Sequence, residues 1–103
     1  MFNVEESARE YSSVYNKNPA YNLEYSKIDS ASAWAPLNKK GNNWMRLDLG
    51  KIFLVTGVVT QGRNLEQGDG IAQQWVTSYT VETSIDGTSF EKVDNGGAEF
   101  DGN

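Results

Sequence analysis

Residues 44–63 constrain this chain more than any other stretch. They read W-M-R-L-D-L-G-K-I-F-L-V-T-G-V-V-T-Q-G-R. Met45, Leu47 and Leu49 alternate with Trp44, Arg46 and Asp48, the period-two pattern of a half-buried strand. Gly50-Lys51 breaks the run. Residues 54–61 are then rich in Val and Thr, which suit a pleated surface. Two strands joined by a short connection are predicted to form the centre of a sheet. A loop begins at Gly62-Arg63, and loops held by such a scaffold are where function concentrates.

The 103 residues allow a single domain, with a 1–10 lead-in. Such a domain has little stability in reserve. A hydrophobic content of 38% and a mean hydropathy of -0.59 suit a water-facing module. No apolar run approaches the roughly 20 residues that span a bilayer. The net charge is -5, and Lys39-Lys40 is the only basic pair. Nucleic acid is therefore not an expected partner, since binding it needs clustered cations. The chain has no Cys and no His. Thiol nucleophiles, His-based triads and Cys-ligated zinc are excluded within it. The start, Met-Phe-Asn-Val-Glu-Glu, lacks a charged-then-apolar signal pattern.

Upstream of the central stretch, residues 7–10 read as one helical turn or the approach to a first strand. Residues 11–15 read as a short strand, and 16–22 as a loop around Pro19. Tyr15, Tyr21 and Tyr25 punctuate this region. Tyr15 and Tyr25 are expected to pack, while Tyr21, at the loop apex, either packs or meets a ligand. Residues 28–36 read I-D-S-A-S-A-W-A-P. Asp29 either closes a tight turn or offers a carboxylate to calcium. Residues 38–43 form a turn before the central strands.

Downstream, residues 64–74 carry Gly68 and Gly70 with Glu66 and Asp69, a loop whose carboxylates read as solvated. Residues 75–85 read as a strand with Tyr79, Val81 and Ile85 on one face. Asp86-Gly87 signals a hairpin, with Phe90 and Val93 on the returning strand. Asn95-Gly96-Gly97 is a further turn, and 98–100 starts one more strand. Nothing shows sustained helical periodicity, so the chain reads as all-β, a sandwich or jelly roll. Trp44, Leu47, Leu49, Val58, Trp75, Tyr79, Val81 and Ile85 are expected in its core.

Several of these motifs together resemble one family, the discoidin-like or coagulation factor V/VIII C-type domain. They are Tyr11-Ser12-Ser13, Asp29-Ser30 with Ala33-Trp34, the W-M-R-L-D-L-G and V-T-G-V-V-T-Q-G-R runs, Gln74-Trp75-Val76-Thr77-Ser78-Tyr79, Ser84-Ile85-Asp86-Gly87 and Phe100-Asp101-Gly102-Asn103. They follow the family's order across nearly the whole chain from Tyr11. The resemblance implies a jelly-roll β-sandwich, incomplete at its C-terminal end because the family continues with further strands. It also implies that another chain, a second copy or a continuation covers the edge left open.

The family's activity is binding, through loops at one end of the sandwich, and its members' ligands include sugars, anionic phospholipids, collagen and other proteins. The resemblance suggests an extracellular or cell-surface setting. Here three loops, 15–25, 29–43 and 64–74, are the candidate surface. A glycan or glycoprotein is the expected partner, with Tyr21 or Trp34 stacking on a sugar ring. Asp29, Asn38, Arg63 and Asn64 would bond its hydroxyls. Trp34 reads equally as core, and Arg63 as a loop-positioning ion pair. Calcium, through Asp29, is the one metal to consider. Leu65 and Ile71 sit beside Glu66 and Asp69, which disfavours membrane insertion. A protein-interaction module is the alternative, and an enzyme is not expected.

Overall fold

A computed structural model describes residues 2–15, 25–30, 32–38, 40–63, 75–93 and 99–102. Glu6–Ala8 forms one 3-10 turn and runs directly into β1, Arg9–Tyr11. Five short strands follow: β2 (Met45–Leu47), β3 (Ser78–Tyr79), β4 (Glu82–Thr83), β5 (Glu91–Lys92) and β6 (Phe100–Asp101). The fold is all-β, as the alternation and turn residues predict.

The strands pair antiparallel in three two-stranded sheets: β1 with β2, β3 with β6, and β4 with β5. In the first, Glu10 faces Arg46 across the ladder. Main-chain bonds from Ser12 to Trp44 (2.9 Å) and from Asp48 to Ala8 (2.8 Å) extend it at both ends. In the second, Tyr79 faces Phe100 with ring centroids 5.5 Å apart. Gly102 continues that ladder by donating to the Thr77 carbonyl at 2.9 Å. A β-carbon on Gly102 would strike the Val76 carbonyl, so only glycine lets the two backbones come this close.

The third sheet is the hairpin announced by Asp86-Gly87. Gly87 adopts φ 75°. Asp86 Oδ1 accepts hydrogen bonds from the Thr88 and Ser89 amides at 2.8 and 2.9 Å and from Ser84 Oγ at 2.9 Å. The Ser89 amide first, then that of Thr88, holds the Asp86 carboxyl below the usual carboxylate range.

The expected core is not where the alternation puts it. Trp44, Leu47, Val58, Trp75 and Ile85 are exposed, Ile85 to 81%. Leu49, Tyr79 and Val81 are only half-buried. Among the described residues no apolar side chain is fully buried. The reason is physical: among the described residues, two-stranded sheets offer inward faces but no opposing layer to cover them. The accessible surface is 8045 Å², against roughly 5,800 Å² for a closed monomer of this mass. The radius of gyration of 14.0 Å likewise exceeds the roughly 13 Å of a close-packed domain of this length.

The strand reading is also corrected in three places. Residues 12–15 lie outside β1, and 75–85 holds two short strands rather than one. Residues 54–61 belong to no sheet. That last segment has the right composition for a strand but makes no strand pairing among the described residues. The expected turn at 95–97 lies outside the described residues.

Candidate functional site

Arg9 is the one buried charged residue among those described, at 8% exposure. Its guanidinium donates to the Val4 carbonyl at 2.9 Å, to Asn3 Oδ1 at 3.0 Å, and to the Ser26 carbonyl and hydroxyl at 3.1 and 2.9 Å. A planar fork with five donors is suited to such a node, and these four hydrogen bonds offset much of the cost of burying the charge. Asn3 Oδ1 also accepts from the Ile28 amide at 3.3 Å. Arg9 therefore ties the N-terminal lead-in to residues 26–28, where the second loop begins.

Beside it, the Tyr11 hydroxyl lies 2.8 Å from Ser26 Oγ and donates to the Glu6 carboxylate at 2.8 and 3.0 Å. Burial, with the Glu6 carboxylate adding to it, pushes the phenol up to about 12. The Tyr11 ring packs on Trp34 with centroids 5.3 Å apart. Trp34 Nε1 donates to the Ser13 carbonyl at 2.9 Å. The Tyr15 amide donates to the Ala35 carbonyl at 2.8 Å, and the Leu37 amide to Ser13 Oγ at 2.9 Å. Trp34 thus fastens the middle of the second loop to the end of β1.

Two further contacts bring the loop bases together. Ser30 Oγ donates to the Tyr25 carbonyl at 2.8 Å, joining the end of the first loop to the start of the second. The Asp29 amide donates to Gln61 Oε1 at 2.7 Å, and Gln61 Nε2 donates back to Asp29 Oδ1 at 2.9 Å. Gln61 immediately precedes Gly62-Arg63 and the third loop. Asp29 adopts φ 60°, a left-handed conformation that Asp tolerates better than most residues. Its partner is Gln61, across the fold, rather than its own turn.

Of the residues singled out in the sequence, Asp29 and Trp34 anchor loops. Asn38 is exposed, and its carbonyl accepts from Asn43 Nδ2 at 2.8 Å. Arg63 is half-buried, two residues after Gln61 in the chain. Tyr21 and Asn64 lie outside the described residues. Among the described residues no group of three or more acidic side chains gathers to hold a metal. No helix among them is long and apolar enough to cross a membrane.

Arg9, Tyr11, Ser26 and Gln61 were not picked out as site residues. Gln61 had a signal, its place in the Q-G-R end of the central stretch. Arg9 had none, because a polar lead-in gives no hint of burial. Arg46 is another such residue. Its guanidinium carbon lies 5.0 Å from the Trp44 ring centroid and 4.6 Å from that of Phe90, and its Nη1 lies 3.5 Å from Glu10 Oε2. That stacking joins the β1–β2 sheet to the start of β5.

The family model for the F5/8 type C domain matches residues 7–103. Among curated proteins, lactadherin of Sus scrofa is 35% identical over 77 residues, covering 72% of this chain and 18% of that protein. Lactadherin of Bos taurus is 30% identical over 77 residues, covering 72% of this chain and 17% of that protein. The chain thus spans less than a fifth of the length of these relatives. No solved structure matches it significantly. With the matched region running from the 3-10 turn through β6, the chain belongs to the F5/8 type C domain family, whose β-sandwich is the fold expected above.

Proposed function

We propose that this chain is a non-catalytic binding module that grips glycan through the three loops at one end of its β scaffold. The observation that carries this reading is the convergence of the loop bases. Ser30 holds Tyr25, and Asp29 holds Gln61. The first, second and third loops therefore start or end within one connected patch. A rigid base under three loops reduces the ordering cost of binding. The exposed amide of Asn38 suits a sugar hydroxyl, and Trp34, packed on Tyr11, supports the loop from below. Membership in a family of binding modules and similarity to lactadherin agree with this reading and with an extracellular setting.

A glycan array run with and without calcium tests the proposal. Binding is expected, and Asn38→Ala should weaken it by about tenfold, the loss of one well-made hydrogen bond, without moving the unfolding midpoint. Calcium dependence would assign the Asp29 carboxylate a metal as well as Gln61. A uniformly blank array with folded protein overturns the glycan reading in favour of a protein-interaction module. The exposure of Ile52 and Leu54, at 76% and 91%, favours that second reading specifically.

A further inference from the structure

We propose that residues 3–6 are a positioning brace for the loop surface. They fix Ile28, and through it they hold Asp29 where Gln61 can grip it. The effect on ligand rests on the reading of the loops as a glycan surface, whereas the brace itself does not.

Among the described residues, Asp29 alone of the non-glycines has a positive φ, at 60°. Backbone in that region persists where its surroundings over-determine it. Two clamps meet there. Gln61 accepts from the Asp29 amide at 2.7 Å and donates to Asp29 Oδ1 at 2.9 Å. Asn3 bonds both main-chain groups of Ile28, accepting from its amide at 3.3 Å and donating to its carbonyl at 3.4 Å. The Ile28 carbonyl and the Asp29 amide belong to one planar peptide unit. Asn3 and Gln61 therefore hold opposite ends of the plane about which the Asp29 φ turns.

The two Asn3 bonds are long, and each alone is weak. The lead-in adds to them over three consecutive residues. Arg9 joins Asn3 Oδ1 and the Val4 carbonyl to Ser26. Glu5 meets Lys27 at 3.2 Å, an exposed pair that contributes little by itself. Glu6 accepts from the Tyr11 hydroxyl, which also lies 2.8 Å from Ser26 Oγ. The Ala8 amide donates to the Glu5 carbonyl at 3.0 Å, closing the turn that ties this segment to β1. Residues 3–6 lie ahead of the region, 7–103, that matches the family model, so family membership alone does not call for them.

Amide hydrogen exchange on the full chain tests the brace. Asn3→Ala should speed exchange at Ile28, which loses its acceptor, and also at Asp29, whose own acceptor is untouched, by about threefold or more. Arg9 keeps its bonds to Val4 and Ser26 in this variant, so its buried charge stays paired. Asn3→Asp keeps an acceptor for the Ile28 amide but sets a carboxylate oxygen against the Ile28 carbonyl, and should speed Asp29 without Ile28. Coupling is reciprocal, so Gln61→Ala should speed Ile28. Gly102→Ala, which strains the distant β3–β6 ladder, should leave 28–29 unchanged. On the glycan array, spots bound by the parent should fall about threefold with Asn3→Ala and hold with Gly102→Ala. Unchanged Asp29 exchange in either Asn3 variant overturns the proposal. So does an Ile28 amide indifferent to Gln61→Ala, Gly102→Ala acting at 28–29 as strongly as Asn3→Ala, or undiminished array spots. An array blank for the parent removes the glycan reading alone, and the Asp29 exchange then decides the brace.

Discussion

Asp29 and Gln61 hold each other by two reciprocal hydrogen bonds, 2.7 Å from the Asp29 amide to Gln61 Oε1 and 2.9 Å from Gln61 Nε2 to Asp29 Oδ1. They are 32 residues apart in the chain. One joins the second loop and the other the approach to the third, so the pair sets the spacing between two loops of the candidate surface. Asp29 does this at φ 60°. Asp29→Gly removes the side-chain acceptor but relaxes the backbone, whereas Asp29→Ala removes the acceptor and keeps the strain. The alanine variant should be less stable than the glycine variant by about 1 kcal/mol, read from urea midpoints. Gln61→Glu should weaken glycan binding more than Gln61→Ala, because it sets a second carboxylate against Asp29.

Arg9 makes four hydrogen bonds to Val4, Asn3 and Ser26 while buried. Removing it takes a donor from the Val4 and Ser26 carbonyls, while Asn3 Oδ1 keeps the Ile28 amide and Ser26 Oγ keeps the Tyr11 hydroxyl. Arg9→Ala should lower stability by about 2–3 kcal/mol. Arg9→Lys should recover only part of this, because an ammonium cannot span the same four acceptors as a planar fork. Chemical unfolding of the three proteins side by side checks the order.

Tyr11 gives the fold an alkaline limit. Its phenol is raised from 10.0 to about 12, chiefly by burial. Between these values the unfolded chain releases the proton while the folded chain keeps it, so folding stability falls as pH rises. The contribution is complete below pH about 10 and lost through about 12. Tyr11→Phe should flatten this part of the stability profile. Phenolate absorbance should lose one late-titrating tyrosine.

Gly102 sits where a β-carbon would meet the Val76 carbonyl. Gly102→Ala should push β6 away from β3, at a cost on the order of 1–3 kcal/mol. Faster hydrogen exchange at the paired amides of 78–79 and 100–101, with the β4–β5 hairpin unchanged, is the expected signature.

Part of what the residues announced locally, the structure kept. The alternation of Met45 and Leu47 became β2, Asp86-Gly87 lies in the β4–β5 connection, and Phe100 opens β6. These features rest on backbone preference and turn chemistry, which act over a few neighbouring residues. The Val- and Thr-rich character of 54–61 was equally legible, yet no strand pairs there among the described residues, because a strand needs a partner that its own residues cannot supply. The same gap left Trp44, Trp75 and Ile85 exposed.

The candidate surface divides in the same way. Asp29 and Trp34 stood out in the sequence as polar and aromatic groups within loops. That Asp29 meets Gln61, that Trp34 bonds Ser13, and that Arg9 gathers Asn3 and Ser26 around a buried charge was decided only in three dimensions. Each of these contacts spans a separation in sequence that no local pattern encodes. Composition and periodicity determined that this chain is β-structured and without His or Cys chemistry. Long-range hydrogen bonding, set by how the strands and loop bases meet, determined which residues hold the loop bases together.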